Sequence, residues 1–505
     1  MSSTSRQVKS ARVASFLKNR RDGRSVAEGQ IEPHTYAAPV EVSEEQKRLW
    51  LHCAISGCSE MYNDIFSLRY SGDLKLPAVE KAINKILSRH EAWRSSFELR
   101  DDKVVQRVAA ELEVVLEMSD LRSLPAKKRE AQLAQLTAQD SKRPFTLTEA
   151  PLFRARVVRM ADNDFRLTLV IHHLISDGVS VYQIFLSELH ALYAAFAQAS
   201  DPNLPALPFQ YSDYAEWQRR SLSCGTRNAH LMYWDRQLEG ELPVLKLPLD
   251  RPRAIIRKFD GSIESFRLTT DLTQRLKQLA DAWDVTVFMA ALSAFHILMY
   301  HYTGDCDQIL GCVTSTRKQP GTELLLGLFI NMVPLRSRFS ADDLYPVLVR
   351  QVRENTLTAL EHEVPFDLLV RRFRSRVAST TPLFQAVFVF EPSTASGSEQ
   401  WHVEDRSADN PFAKWDLSVV LQENRGDLCG NISYCRDIFN SDAIAGMRDA
   451  WVKLLGEIAA DPNRTVRQFS ACLAKGKNRS SASSWFRKHI SRTRPVCVVG
   501  PYADE

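Results

Sequence analysis

The sequence predicts an α/β protein with mixed sheets and packed helices, built as two similar halves. Three observations carry this: strand and helix signals alternate through most of the chain, a turn-rich stretch divides it near the middle, and 505 residues exceed one ordinary core. Apolar and β-branched runs predict strands at Ile65 to Tyr70, Phe153 to Val158, Leu167 to His172, Ile309 to Val313, Ala386 to Phe390 and Leu417 to Gln422. Val79, Ile83, Ile86 and Leu87 share one helical face, as do Val181, Ile184, Phe185, Leu189 and Leu192. The apolar stretch Val285 to Tyr300, interrupted by Ser293 and His296, is shorter than the ~20 residues that span a bilayer and predicts a buried helix.

These signals divide the chain into a basic N-terminal tail (1–36), an N-terminal lobe (37–220), a linker (221–253), a C-terminal lobe (254–470) and a basic C-terminal tail (471–505). Seven Lys and Arg residues precede residue 25 against the single acid Asp22, and seven more lie between Lys475 and Arg494 with no acid among them. Both tails are therefore candidate docking segments.

Composition excludes several classes. Hydrophobic residues make up 44% and charged residues 25%, the ordinary globular range. With 65 basic against 61 acidic residues the net charge is only +4, so no strong field for nucleic acid covers the surface. Nine scattered cysteines with no C-x-x-C pair indicate neither a zinc site nor a disulfide framework. The N-terminus carries no apolar signal region. The expectation is a cytoplasmic monomer that binds neither membrane nor nucleic acid and holds no metal.

The chemistry-bearing segment is His172-His173-Leu174-Ile175-Ser176-Asp177-Gly178, at the end of the predicted strand Leu167 to His172. Strand side chains alternate, so the two histidines should face opposite ways, one into a cleft and one into the structure. An Asp-Gly step predicts a sharp turn whose glycine takes up unusual backbone angles.

Other segments join this one in an ordered set. Ser43 to Trp50 (SEEQKRLW) resembles the S-x-A-Q-x-R-L-W opening of nonribosomal peptide synthetase condensation domains, with Glu45 in place of alanine. Arg89 to Phe97 (RHEAWRSSF) resembles their R-H-E-x-L-R-T-x-F, and the histidine segment matches H-H-x-x-x-D-G. Tyr211 to Trp217, Gly327 to Arg336, Val364 to Asp367 and Lys414 to Leu417 resemble Y-x-D-F-A-x-W, G-x-F-V-N-T-x-x-x-R, V-P-F-E and K-F-D-L. A heterocyclising relative would carry D-x-x-x-x-D in place of the histidines, and an epimerising one differs around Gly327 to Arg336.

The resemblance implies two chloramphenicol-acetyltransferase-like lobes in a V-shaped pseudo-dimer, with a tunnel where carrier-borne phosphopantetheine arms meet. It implies an acyltransferase that moves an acyl group from an acyl or peptidyl carrier protein to a small-molecule or carrier-bound amine or alcohol. No bound cofactor is expected, the phosphopantetheine arriving on the carrier. His173 is the candidate base, since an imidazole titrates near neutrality and can take the acceptor's proton as the new bond forms. His172 is the structural partner, and Gly178 keeps the passage open. Asp177 is expected in a buried ion pair, with Arg317 the first candidate partner and Arg94 the second. Ser180, Asn331 and Trp415 are candidate substrate contacts. Trp50, Trp93 and Trp217 read as packing residues.

The family match fades near residue 470 with no adenylation or carrier module in these residues, so action in trans, with release of the chain onto a free acceptor, is the expectation. A coenzyme A-dependent acyltransferase of the same fold and a non-catalytic carrier-docking protein are the alternatives.

Overall fold

The computed structural model describes residues 30–34, 39–223, 226–254, 258–374, 383–391, 393, 400–404, 411–424 and 426–473. Apart from residues 30–34 and the end of the helix Val466–Leu473, the two tails lie outside the described residues. In the first half of the chain the strands are β1 (Val40–Glu41), β2 (Asn63–Ser71), β3 (Ser95–Arg100), β4 (Lys103–Val108), β5 (Glu117–Asp120), β6 (Phe153–Ala161) and β7 (Asp164–His172). The second half contributes β8 (Gly261–Arg267), β9 (Asp307–Ser315), β10 (Ile330–Arg338), β11 (Ala386–Glu391), β12 (Trp401–Glu404), β13 (Leu417–Asn424) and β14 (Asp427–Cys435). They form a small sheet β1-β4-β3, a five-stranded sheet β12-β2-β7-β6-β5 and a six-stranded sheet β10-β9-β11-β13-β14-β8.

Each large sheet has its own core. In the first, β7 is an almost unbroken buried run, as expected of a central strand with both faces covered. The helices Leu76–Arg89 and Leu186–Ala197 pack on each other and bury Ile83, Ile86, Leu87, Leu189 and Leu192. In the second, burial alternates along β13 and β14, so one face of that hairpin is covered. The helix Val287–Thr303 runs through this core, opened by Thr286, whose hydroxyl accepts from Met289 N at 3.2 Å, and closed by left-handed Gly304. Its buried His296 bonds Gln308 and Ser337, and burial pushes the imidazole down to about 4, so it is a neutral core residue. Among the described residues no single helix is long and apolar enough to cross a membrane.

The lobes are stitched together by two segments that leave the second and enter the first. Strand β12 adds to the edge of β2, pairing Trp401 with Tyr70 and Glu404 with Ser67, and Arg166 reaches Glu404 at 2.8 Å. Between β9 and β10, Leu325, Leu326, Leu328 and Phe329 are buried in the core of the first lobe.

One region differs from the sequence expectation. The stretch 221–253 is no plain linker: it contains the helix Thr226–Gln237, whose Trp234 is fully buried in the second core. Strand β10 carries Pro334 in its middle. It is tolerated because β10 is the outermost strand of its sheet, so the missing N–H breaks no ladder on a second side.

Candidate active site at the histidine turn

Strand β7 ends at His172, a single tight turn follows over His173–Ile175, and the chain re-enters helix beyond Asp177 through a widened π-helical turn, Ser180–Phe185. Such widened turns recur at functional sites. The turn is held from behind by the first motif of the chain. Ser43 caps the helix Glu44–Ser56 in a reciprocal pair with Gln46, and the Gln46 amide donates to Leu174 O at 2.9 Å.

The Asp177 side of the turn is closed. Asp177 Oδ1 lies 3.0 Å from Arg317 Nη2, with the side chains 1% and 6% exposed, and the carboxylate also accepts from Ser180 N at 2.7 Å and Phe329 N at 2.9 Å. The Ser180 hydroxyl donates to Gly327 O at 2.9 Å and accepts from Gly327 N and Arg317 Nη2. Arg317 also donates to Leu325 O at 2.8 Å and stacks 4.1 Å from the centre of the Phe329 ring. A buried charge pair needs partners for its remaining lone pairs and protons, and of the polar atoms of these two side chains only Arg317 Nε lacks one among the described residues. The inserted segment 325–329 is thereby fixed to the turn, and Tyr211 adds to it by donating to Leu328 O at 2.7 Å. A side chain at Gly327 would collide with the Tyr211 ring.

The His173 side is open and sparsely bonded. His172 is fully buried: its Nδ1 accepts from Leu174 N at 3.2 Å, and burial, together with the neighbouring His173, pushes it down to about 3. His173 is 16% exposed, and its Nδ1 lies 2.9 Å from Asp64 Oδ2, a close contact that falls outside hydrogen-bond geometry. The other oxygen of Asp64 receives Lys414 Nζ at 3.1 Å, and that ammonium also rests 5.2 Å from the centre of the Tyr62 ring. Burial raises the Asp64 carboxyl, but Lys414 and His173 outweigh it and hold the group below the usual carboxylate range. Glu391, at the end of β11, is pushed up to about 7 by burial and by the charges of Asp64 and Asp177.

The structure thus brings His172, His173, Asp177, Gly178, Ser180 and Arg317 together, and corrects several details. Arg94 is not the ion-pair partner: its guanidinium closes the end of the helix Leu76–Arg89 through Leu87 O at 2.9 Å and also binds Ala110 O at 3.0 Å. Gly178 does not have the unusual backbone angle expected of it, for it lies outside the positive-φ positions and begins the helix; only the reading of an open passage is left for it. The polar atoms of Ser180 and Asn331 are committed to the protein: Asn331 accepts from Phe366 N at 3.0 Å and donates to Val364 O at 2.8 Å. Trp415 packs on Phe384, with ring centres 5.1 Å apart, at the margin of the second core. Trp93 is fully buried, and Trp50 and Trp217 pack at the edge of the first core.

Asp64, Lys414 and Glu391 are the site residues that sequence reasoning missed. Lys414 lay within a motif noted above, but nothing in the sequence links it to Asp64, 350 positions away.

Residues 37–478 match the condensation domain family. The chain is 33% identical over 450 residues to one of the linear gramicidin synthase subunits of Brevibacillus parabrevis, a match covering 88% of this chain and 9% of that protein. It is 33% identical over 429 residues to phosphinothricin tripeptide synthetase PhsC of Streptomyces viridochromogenes, covering 84% and 39%. Among solved structures, the first condensation domain of the calcium-dependent antibiotic synthetase, in complex with a substrate analogue, superposes with a TM-score of 0.76 at 17% identity, over 86% of this chain and 99% of that one. The X-domain from teicoplanin biosynthesis gives 0.75 at 23% identity, over 87% and 99%. The mixed-sheet, two-lobed fold expected from the sequence is the fold of these domains. With a family match across most of its length and relatives one-third identical over more than four-fifths of it, the chain belongs to the condensation domain family of nonribosomal peptide synthetases.

Proposed function

We propose that this protein transfers an acyl group from the phosphopantetheine thioester of a carrier protein to an amine or hydroxyl acceptor, with His173 as the base. The observation that carries this reading is His173 itself: a partly open imidazole at a rigidly held turn, with a carboxylate against Nδ1. A carboxylate at Nδ1 favours the ring proton there and leaves the Nε2 lone pair to face an acceptor. As the acceptor attacks the thioester carbonyl, its N–H or O–H proton passes to Nε2. The new C–N or C–O bond forms, the C–S bond breaks, and the departing sulfur takes the proton back. A hydroxyl needs this help more than a neutral amine, which mainly needs to be positioned.

Carrier proteins are the proposed partners and deliver the pantetheine arm, so the protein brings no organic cofactor of its own to the reaction. The proposal includes action in trans on a separately supplied carrier and release of the acyl chain onto a free acceptor.

Intact-protein mass spectrometry of an acyl-loaded carrier, mixed with this protein and a panel of free amines and alcohols, tests all of this. Loss of the acyl mass with appearance of an amide or ester supports the proposal, and His173→Ala should abolish or strongly slow it. Transfer only to a carrier-bound acceptor would remove the release part. Equal use of coenzyme A thioesters would point to the coenzyme A-dependent alternative. Carrier binding with no transfer at all would favour recruitment without chemistry; the X-domain has been solved in complex with OxyB.

A further inference from the structure

Asp64 is an expensive residue where it stands. Aspartate is disfavoured in strands, yet this one lies within β2, paired with Ile171 and one position from the Asn63–His172 pair. Only 26% of its side chain is exposed, so its charge needs partners. Its partners among the described residues are His173, on the same lobe, and Lys414, which stands on the second lobe just ahead of β13. The carboxylate is therefore shared between the candidate base and a cation from the opposite lobe.

The other charged or titratable groups facing this cluster are His172 beside it, Tyr62 against the Lys414 ammonium, Cys53 on the helix Glu44–Ser56, Asp177 behind the turn and Glu391 at the end of β11. Two residues past Glu391, Ser393 O accepts from Gln183 of the helix that follows the turn, at 3.4 Å, which places the end of β11 against the turn. None of these groups contacts His173 Nδ1 as Asp64 does.

We propose that Asp64 and Lys414 form a lobe-spanning positioning pair, in which Asp64 holds the His173 ring with its Nε2 toward the acceptor and Lys414 sets how much negative charge Asp64 presents to that ring. This rests on the proposed role of His173 as base. Neither residue touches the reacting atoms; both act through the imidazole. The Asp64–His173 contact, close but outside hydrogen-bond geometry, is of the kind that a base commonly shows before substrate binds. The pair also ties the state of the base to the apposition of the lobes, because moving the second lobe away takes Lys414 with it and leaves Asp64 unneutralised.

Asp64→Asn and Lys414→Met in the full chain separate this from a purely structural role. Asp64→Asn should lower kcat about tenfold to a hundredfold, a part of the ~10²–10⁴-fold that general base catalysis supplies, with KM for the carrier little changed and a larger loss for hydroxyl than for amine acceptors. The acid limb of kcat/KM should move to lower pH in Asp64→Asn, because an anion that favours protonation of the base is gone. It should move to higher pH in Lys414→Met, because a cation that opposes protonation is gone. Shifts of opposite sign are the signature; a packing defect moves neither limb, and unmoved limbs in two folded, active variants overturn the proposal.

A second readout does not depend on turnover. In ¹⁵N-histidine spectra of the full chain, with His173→Ala identifying the resonance, His173 should be the Nδ1–H tautomer in the wild type and lose that preference in Asp64→Asn. If the wild type transfers nothing but shows this change, the positioning pair stands and the function reading falls. An Nε2–H tautomer in the wild type overturns the pair even if transfer proceeds.

Discussion

The two flanks of the histidine turn are built on opposite principles, although their key side chains are only four positions apart. At Asp177 every polar group is enclosed: the carboxylate accepts from Arg317, Ser180 N and Phe329 N, and the Ser180 hydroxyl uses both its donor and its acceptors. At His173 the imidazole has, among the described residues, one close carboxylate contact outside hydrogen-bond geometry and remains partly open. The first arrangement withstands displacement because any shift strands a buried charge. The second leaves a lone pair unused, which a base requires. Rigidity on one flank is what allows the other to stay undercommitted and still be held in place.

If that division is right, the largest effect of any single change comes from the closed flank. Asp177→Ala leaves Arg317 buried without its anion, and chemical denaturation should show a loss of about 3–5 kcal/mol, with transfer lost alongside it. A variant as stable as the wild type would mean that the pair does not carry the turn. His173→Ala comes next and should look different: transfer falls ~10²–10⁴-fold while unfolding free energy changes by no more than about 1 kcal/mol.

Gly327→Ala probes the inserted segment without touching a charge. The added methyl meets the Tyr211 ring, and a loss of about 1–3 kcal/mol is expected, with the wild-type pH dependence of transfer preserved. A neutral result would show that Tyr211 can move aside and that the segment is looser than its hydrogen bonds imply.

The last effect depends on pH and concerns Glu45, the residue that stands where the family motif has alanine. Its carboxyl is 3% exposed, accepts from the Gln218 amide at 2.7 Å, and is pushed up to about 7, chiefly by burial and further by Glu363, against the pull of Gln218 and Arg48. A folded value above the ordinary value of 4.5 means that the folded state holds this proton more tightly than the unfolded chain. The associated stability is present below about pH 4.5 and disappears as pH rises through about 7. Glu45→Gln keeps an acceptor for Gln218 and removes the titration. It should be more stable than the wild type at pH 8, by up to about 3 kcal/mol, and similar to it at pH 5. Parallel stability curves for the two proteins from pH 5 to 8 would show that Glu45 is ionised in the folded state throughout.

The contrast between the flanks also marks what could be read from sequence. The predicted strands follow runs whose burial the fold confirms, whereas Arg317 as the partner of Asp177 comes from the family resemblance and not from local pattern. Asp64 and Lys414 carry no such pattern, since their meeting depends on how two lobes appose and no periodicity encodes that. Strand β12 is four residues long, too short to register as a strand, and owes its existence to the exposed edge of β2. In β10 the proline at 334 argues against a strand until the edge position is known. Within 221–253, Leu231, Trp234 and Leu238 do recur at helical spacing, but the turn residues from Glu239 onward dominate the segment as read from sequence.

One experiment tests the division of labour directly: carrier-to-acceptor transfer and chemical unfolding measured on the same preparations of wild type, His173→Ala and Asp177→Ala. The expected result is a His173→Ala protein that unfolds with the wild type but transfers at least ~10²-fold more slowly, beside an Asp177→Ala protein that loses both. Wild-type transfer rates in His173→Ala would contradict the account at its centre.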